Sequence, residues 1–101
     1  MSNHPDLTRS DVIKLIAVAT KPLNLTGVNL NGVDLGCLDL SGANLSHANL
    51  RSANLDHTDL TKANLSHANL TSSVMFCTNL EGADLSGADL SGAELTGANL
   101  D

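Results

Sequence analysis

Leucine recurs at every fifth position of this chain from residue 25 to residue 100. Fifteen of the sixteen positions in this register are leucine and one is methionine: Leu25, Leu30, Leu35, Leu40, Leu45, Leu50, Leu55, Leu60, Leu65, Leu70, Met75, Leu80, Leu85, Leu90, Leu95 and Leu100. Five residues rotate a helical face by about 140° beyond a full turn, and an odd spacing sends alternate strand residues to opposite faces. The backbone must therefore turn once per quintet, so that every leucine points toward one central axis.

The other positions of the quintet follow the same register. After the first four quintets, the residue two before each leucine is alanine, serine or threonine, and the residue just before it is nearly always asparagine or aspartate. We expect the leucine and the small residue to face the axis and the other three positions to face water. Coils of this kind bury their core only against the coils above and below, as in a solenoid.

A second period of 20 residues indicates how many quintets form one coil. Segment 43–50 recurs unchanged at 63–70, and three residues outside the consensus, Cys37, His57 and Cys77, are also 20 apart. The simplest interpretation is four quintets per coil, which gives a square cross-section and about four coils over residues 23–101.

The unit Ala-(Asn/Asp)-Leu-x-x, repeated over residues 23–101, resembles the pentapeptide-repeat family. The resemblance implies an all-β solenoid, a right-handed quadrilateral parallel β-helix, in a protein of bacterial and notably cyanobacterial type. It also implies two broad roles. One is a structural or protein-interaction module without an assigned biochemical role, and the other is an acidic rod that imitates duplex DNA and binds a type II topoisomerase.

The segment before the repeat predicts a capping α-helix. Thr8 and Asp11 have the spacing of a capping box, and Pro22 is expected to end the helix. The apolar face of this helix consists of Val12, Leu15, Ile16 and Ala19. We therefore divide the chain into an N-terminal tail and capping helix at 1–22, which covers the first coil, and a β-helix at 23–101.

At the other end, no second cap is evident in the sequence around Leu100 and Asp101. An open terminal coil exposes its backbone edge, so we expect a homodimer through the C-terminal coil. The alternatives are a natural chain that continues beyond Asp101, or a different protein bound at this edge.

Charge is divided unevenly and limits the class of partner. Segment 1–22 has three basic residues against two acids, a net of +1, whereas 23–101 has two against nine, a net of −7. An acidic body lacks the basic footprint that nucleic acid requires, and no apolar run is long enough for a membrane span. Two cysteines without a CxxC pair favour the cytoplasm. The apolar run 12–19, which ends in Ala-x-Ala, leaves export to the periplasm or lumen as an alternative.

The repeat departs most from its consensus on one side of the predicted square. Taken together, the third quintets of the four coils contain both cysteines and the single aromatic residue. The third and fourth quintets together contain seven of the nine acids of the repeat. The register points the unusual side chains outward. We interpret this side as the candidate partner-binding face, formed by Phe76, Val74, Asp56, Glu94 and Asp34.

The pattern predicts no catalytic, cofactor or metal site. A filled solenoid has no cleft in which reactive groups could converge, so we predict that the chain is not an enzyme. At strand spacing Cys37 and Cys77 would be roughly 9–10 Å apart, too far for a disulfide and, with His57 between them, too straight for tetrahedral zinc. His47 and His67 are stacked by the same period. The third functional hypothesis, a metal- or redox-responsive protein that uses the Cys/His column, is therefore the least favoured of the three.

Overall fold

The computed structural model describes residues 4–101; residues 1–3 of the predicted N-terminal tail lie outside the described residues. Its one helix within that range, α1, spans Arg9–Val18. From residue 24 onward, twelve single-residue parallel β-bridges join residues 20 apart, from Asn24–Asn44 to Asn79–Asn99. Each coil therefore contains four quintets, as the 20-residue period predicts, and the bridges stack corresponding quintets into four walls. The first wall is 23–27, 43–47, 63–67 and 83–87, and the second wall is 28–32, 48–52, 68–72 and 88–92. The third wall is 33–37, 53–57, 73–77 and 93–97, and the fourth wall is 38–42, 58–62, 78–82 and 98–101.

Each quintet turns at the two residues after its leucine. The N–H of the next residue closes the turn on the leucine carbonyl, as in Ala43 N–H to Leu40 O at 3.0 Å. The second central residue has a φ between 56° and 75° in all fifteen turns, and eight of these fifteen residues are not glycine. Positive φ at this position is the mark of a type II turn. The repeat thus holds eight side chains in the left-handed region of backbone space.

The asparagine or aspartate before each leucine has a structural role that the sequence pattern did not reveal. In fourteen of the sixteen quintets its Oδ1 accepts the N–H of the residue two positions on, at 2.9–3.2 Å. This is an Asx turn, which satisfies a backbone donor at the corner of the coil. The expectation that this position simply faces water was therefore incomplete.

The leucine ladder forms the core. From Leu25 to Leu80 every ladder side chain is at most 3% exposed, whereas Leu100 in the last coil is 58% exposed. Exposure rises toward the C-terminal end because no described coil covers it. The leucine core is thus closed at the N-terminal end of the solenoid and open at the other.

Three buried hydroxyl groups replace alanine at the small inward position. Thr58 Oγ1 donates to the Leu35 carbonyl at 2.8 Å, and Thr78 Oγ1 donates to the Leu55 carbonyl at 2.6 Å, in each case in the coil above. Ser73 Oγ is equally buried but has no hydrogen-bond partner among residues 4–101. Two of these side chains therefore tie coils together, and the third leaves a polar group unsatisfied.

The predicted capping box is present at the start of α1. The Thr8 hydroxyl accepts the Asp11 N–H at 3.2 Å, and the Thr8 N–H donates to Asp11 Oδ2 at 2.9 Å. Val12 is fully buried, and Leu7 and Ile16 pack against the leucine core. The helix therefore packs against the leucine core through Val12 and Ile16.

Other details of the predicted helix are wrong. Leu15 is 36% exposed, and Ala19 is exposed and has an extended backbone as the C-cap residue. The helix ends at Val18, well before Pro22, so the proline does not terminate it. The narrow first coil covers only the stripe through Val12 and Ile16, and Leu15 lies to one side of that stripe.

The N-terminal segment also satisfies the backbone edge of the first coil. The Asp6 N–H donates to the Asn29 carbonyl at 2.7 Å, and Asp6 Oδ2 accepts the Asn29 N–H at 2.8 Å. Arg9 Nη1 donates to the carbonyl oxygens of Gly36 at 2.9 Å and Asp34 at 3.1 Å. Elsewhere in the solenoid, the coil above provides the partners of these backbone groups. Asp6 and Arg9 thus take the place of a missing coil.

Candidate partner-binding surface on the third wall

The third wall brings together all five residues of the candidate face. Bridges align Asp34, Val74 and Glu94 in one row along the rod, with Asn54 between the first two. Asp56 and Phe76 belong to the neighbouring row, at the first turn position of successive coils, 20 residues apart. The face is therefore one continuous strip along the rod.

The quintet 73–77 breaks the repeat's hydrogen-bond pattern. Val74 has no oxygen with which to accept the Phe76 N–H, and Asp56 Oδ1 from the coil above accepts it instead at 3.1 Å. No other quintet within residues 23–101 receives a side-chain acceptor from the preceding coil in this way. Asp56 is thus a structural partner of Phe76 as well as an acid on the wall.

The candidate residues differ in exposure and charge. Glu94 and Asp34 are exposed, whereas Phe76, Val74 and Asp56 are half-buried. Phe76 is therefore less exposed than its outward register alone predicts. Asp34 Oδ1 lies 3.3 Å from the Arg9 guanidinium, an exposed ion pair of small energetic value that offsets the charge at the N-terminal end of the wall.

The Cys/His column occupies the left-handed turn position of the same wall. Cys37 and Cys77 are free and exposed, and His57 lies between them in the register. His47 and His67, on the first wall, stack with ring centroids 5.0 Å apart and planes 14° from parallel. Ring nitrogens bind metals in the ring plane, so parallel rings do not converge on one ion. Within residues 4–101 no three His, Cys, Asp or Glu side chains form a group that could hold a metal.

Several acids have a lowered pKa for a structural reason. Hydrogen bonds from the serine two residues on, through its hydroxyl and its backbone N–H, lower the pKa of Asp39, Asp84 and Asp89. The hydroxyl bond is the larger cause and the N–H bond of the Asx turn is the smaller one, and both favour the ionised carboxylate. These shifts therefore reflect hydrogen bonds from the neighbouring serine rather than acid-base chemistry.

Open space is found beside α1. A groove of about 450 Å³ runs along the helix and is lined by Leu7, Asp11, Lys14, Leu15 and Val18. We call this the cap groove. The part of the chain that the structure describes has no helix with the length and hydropathy needed to cross a bilayer.

A family model described as "Pentapeptide repeats" matches the chain in eight copies, over residues 24–61, 39–75 and 63–101. The repeating coil and its matching sequence define a pentapeptide-repeat solenoid. The chain belongs to the pentapeptide repeat family, as its sequence predicts. No curated protein matches it.

Solved structures of the same family are similar to the chain. QnrB1, a plasmid-mediated fluoroquinolone resistance protein, is 26% identical with a TM-score of 0.72, over 77% of this chain and 38% of that one. HetL, from the cyanobacterium Nostoc sp. strain PCC 7120 and involved in heterocyst differentiation regulation, is 40% identical with a TM-score of 0.46, over 79% of this chain and 40% of that one. The protein alr5209 from Nostoc PCC 7120 is 28% identical with a TM-score of 0.35, over 93% and 96%. The chain thus spans about two fifths of the length of QnrB1 and of HetL.

Proposed function

We propose that this chain is a non-enzymatic protein-interaction module whose partner binds the third wall around Phe76. In this proposal residues 23–101 form a right-handed quadrilateral β-helix of about four coils, and 1–22 form its cap. The supporting observation is the exceptional quintet 73–77, in which Val74 gives up the Asx turn and Phe76 depends on Asp56 for its hydrogen bond. We keep the cytoplasm as the predicted compartment, because both exposed cysteines are free thiols.

Val74 breaks the Asx-turn pattern of the repeat without improving core packing, and departures of this kind are typical of functional sites. Neither Val74 nor Phe76 is needed to fill the core, since both belong to outward positions and Met75 supplies the ladder side chain. Together they place an aromatic and a branched apolar side chain beside the carboxylates of Asp56 and Glu94. An aromatic anchor with a polar rim is the usual form of an interaction hot spot. We expect a partner with an apolar pocket and basic groups around it.

The double variant Val74→Asn/Phe76→Ser tests this proposal without threatening the fold. It recreates the arrangement of quintet 43–47, where Asn44 Oδ1 accepts from both the N–H and the hydroxyl of Ser46. We expect a thermal midpoint equal to or above that of the wild type, because a local hydrogen bond is restored. Binding of proteins captured by the immobilised wild-type chain should be lost.

A matched control adds a second copy of the same apolar pair on the second wall. Asn69→Val/Thr71→Phe in a wild-type background adds a valine and a phenylalanine in the same coil but leaves Phe76 in place. We expect this variant to bind the captured partner with unchanged affinity in titration calorimetry. Unchanged binding by Val74→Asn/Phe76→Ser would contradict the proposal, whatever the control shows.

A second candidate function is supported by the similarity to QnrB1 and by the net charge of −7 over residues 23–101. In this candidate the acidic rod binds a type II topoisomerase. The test is a gyrase supercoiling assay with and without a fluoroquinolone. Protection of supercoiling by the chain would support it, and no effect at large molar excess over the enzyme would rule it out. We do not extend the metal or redox hypothesis, since no observation favours it.

The open C-terminal edge supports our proposal of a homodimer through the last coil. In the interior, ladder N–H groups donate to the next coil, as Leu65 does to the Asp84 carbonyl at 2.7 Å. The N–H groups of Leu85, Leu90 and Leu95 have no acceptor within residues 4–101. Light scattering on wild type and on Leu100→Glu tests this edge: the variant should dissociate, and a dimer that survives the change would refute pairing there.

A further inference from the structure

We infer that a second copy of this chain binds the cap groove, through antiparallel pairing of the two α1 helices about a two-fold axis. The first observation is the exposed apolar surface of α1. Val18 is 75% exposed and Leu15 is 36% exposed, and both line the cap groove with Leu7. Neither Val18 nor Leu15 packs against the leucine core; Leu7, Val12 and Ile16 hold this segment on the solenoid.

The second observation is that the groove is self-complementary. In an antiparallel pair of identical helices, facing residues have numbers with a constant sum. When Asp11 faces Lys14 of the second copy, the same register brings Val18 past the N-terminus of the facing helix, beside Leu7, which precedes that helix. Each of these pairs forms twice about the two-fold axis, so the interface is isologous and closed. On α1 itself, Asp11, Lys14 and Val18 lie within about 60° of one another, so they can face the second copy together.

Charge favours this end of the molecule for contact between copies. Residues 1–22 have a net charge of +1, whereas residues 23–101 have a net of −7. Two solenoid bodies therefore repel each other, and the repulsion is smallest where the caps meet and the bodies point away. A register centred on Lys14 would instead bring two ammonium groups together, so charge selects the pairing of Lys14 with Asp11.

The size of the surface indicates a weak dimer. A ten-residue helix is about 15 Å long, and we estimate that one such face buries roughly 300–400 Å² per copy, about half of what a stable standard interface buries. We therefore expect a dissociation constant of roughly 0.1–1 mM. The dimer would place the two third walls on one particle and make binding to a repetitive partner bivalent.

Sedimentation equilibrium from about 10 µM to about 1 mM tests the inference, with Leu100→Glu present in every chain so that the C-terminal pairing proposed above does not contribute. The weight-average mass should rise from 10.4 kDa toward twice that value. Val18→Glu should remain monomeric, and so should Lys14→Glu, which places an acid opposite Asp11. The matched control is Ile13→Glu: Ile13 is 42% exposed on another side of α1, and this variant should still dimerise. Thermal melts establish that each variant is folded, and Lys14→Glu decides the matter if Val18→Glu does not fold.

Several outcomes would overturn the inference. A wild-type chain that stays monomeric at about 1 mM would assign the groove to another occupant, such as a foreign helix or a bilayer surface. Equal loss of dimer in Ile13→Glu and Val18→Glu would indicate non-specific apolar contact. A Leu100→Glu chain that stays monomeric, while the chain with native Leu100 dimerises, would assign the contact to the C-terminal coil and overturn the inference.

Discussion

Replacing Ser52 by glycine should stabilise the protein, although it removes a side chain and adds flexibility. Ser52 is exposed and has a φ of 59°, in the left-handed region. Its backbone N–H donates to the Thr71 carbonyl at 2.9 Å, and glycine keeps that bond. The side chain makes no hydrogen bond within residues 4–101, so the substitution changes backbone strain and little else.

The expected size follows from two opposing terms. A non-glycine residue in the left-handed region costs about 1–2 kcal/mol, and glycine relieves that cost. Glycine also loses about 0.5–1 kcal/mol through the greater freedom of the unfolded chain. The two ranges leave a net gain of about 0–1.5 kcal/mol, and the middle value of about 0.75 kcal/mol raises the thermal midpoint of a domain of this size by about 3–6 °C.

Thermal unfolding followed by circular dichroism measures this change, with Arg51→Gly as the matched control. Arg51 is the preceding residue of the same turn, is also exposed, and does not have a positive φ. Glycine there brings only the entropic loss, so the midpoint should fall. A fall for Ser52→Gly similar to that for Arg51→Gly would refute the argument that these turns are strained.

Three further predictions test other parts of the structure. Arg9→Ala should lower the free energy of unfolding by about 1–2 kcal/mol in urea titrations, because the Asp34 and Gly36 carbonyls at the first coil edge lose a charged donor. A fall of the same size in Arg9→Lys would indicate that one guanidinium must reach both carbonyls, which an ammonium group does not do. Ser73→Ala should raise the free energy of unfolding by about 1 kcal/mol by removing an unsatisfied hydroxyl, whereas Thr78→Val should lower it by about 0.5–1.5 kcal/mol by removing the bond to the Leu55 carbonyl. Changes of the same sign in both variants would contradict the hydrogen-bond assignment. The pKa of Asp89 is lowered in the folded state, so its stabilising effect is present above the ordinary carboxyl pKa of 3.8 and is lost as the pH falls below it. Asp89→Asn keeps the Oδ1 acceptor and should therefore lose less thermal stability than wild type between about pH 5 and pH 2, and identical acid profiles would argue against this linkage.

The repeat made most of the fold predictable, because the same five-residue unit, with one turn and one inward leucine or methionine, recurs sixteen times. The capping box of Thr8 and Asp11 was also predictable, since its two residues are three apart in the sequence. The edge contacts of Asp6 and Arg9 were not, because their partners are 23 to 27 residues away and depend on how the N-terminal segment crosses the first coil. Leu15 was misplaced because helical periodicity does not say how wide a surface will cover it.

The contact between Asp56 and Phe76 lies between these cases. Sequence inspection singled out both residues for the candidate face but not for each other. The information was present: Val74 lacks the acceptor that its position normally supplies, and Asp56 precedes Phe76 by one full coil of 20 residues. An Asx-turn rule, combined with the coil period, would have found this pair.

The square coil gives the chain two different tolerances to insertion. Adding one consensus quintet between two others would leave every leucine in the ladder and every corner turn intact, because the core repeats every five residues. All later residues would then rotate by a quarter turn around the rod, and a quintet added between Asp56 and Phe76 would move Phe76 to the fourth wall, away from Asp56. Adding a whole coil restores the walls. Insertions or deletions of any multiple of five residues during evolution can therefore preserve the fold. Only multiples of 20 residues also preserve a binding strip that crosses several coils.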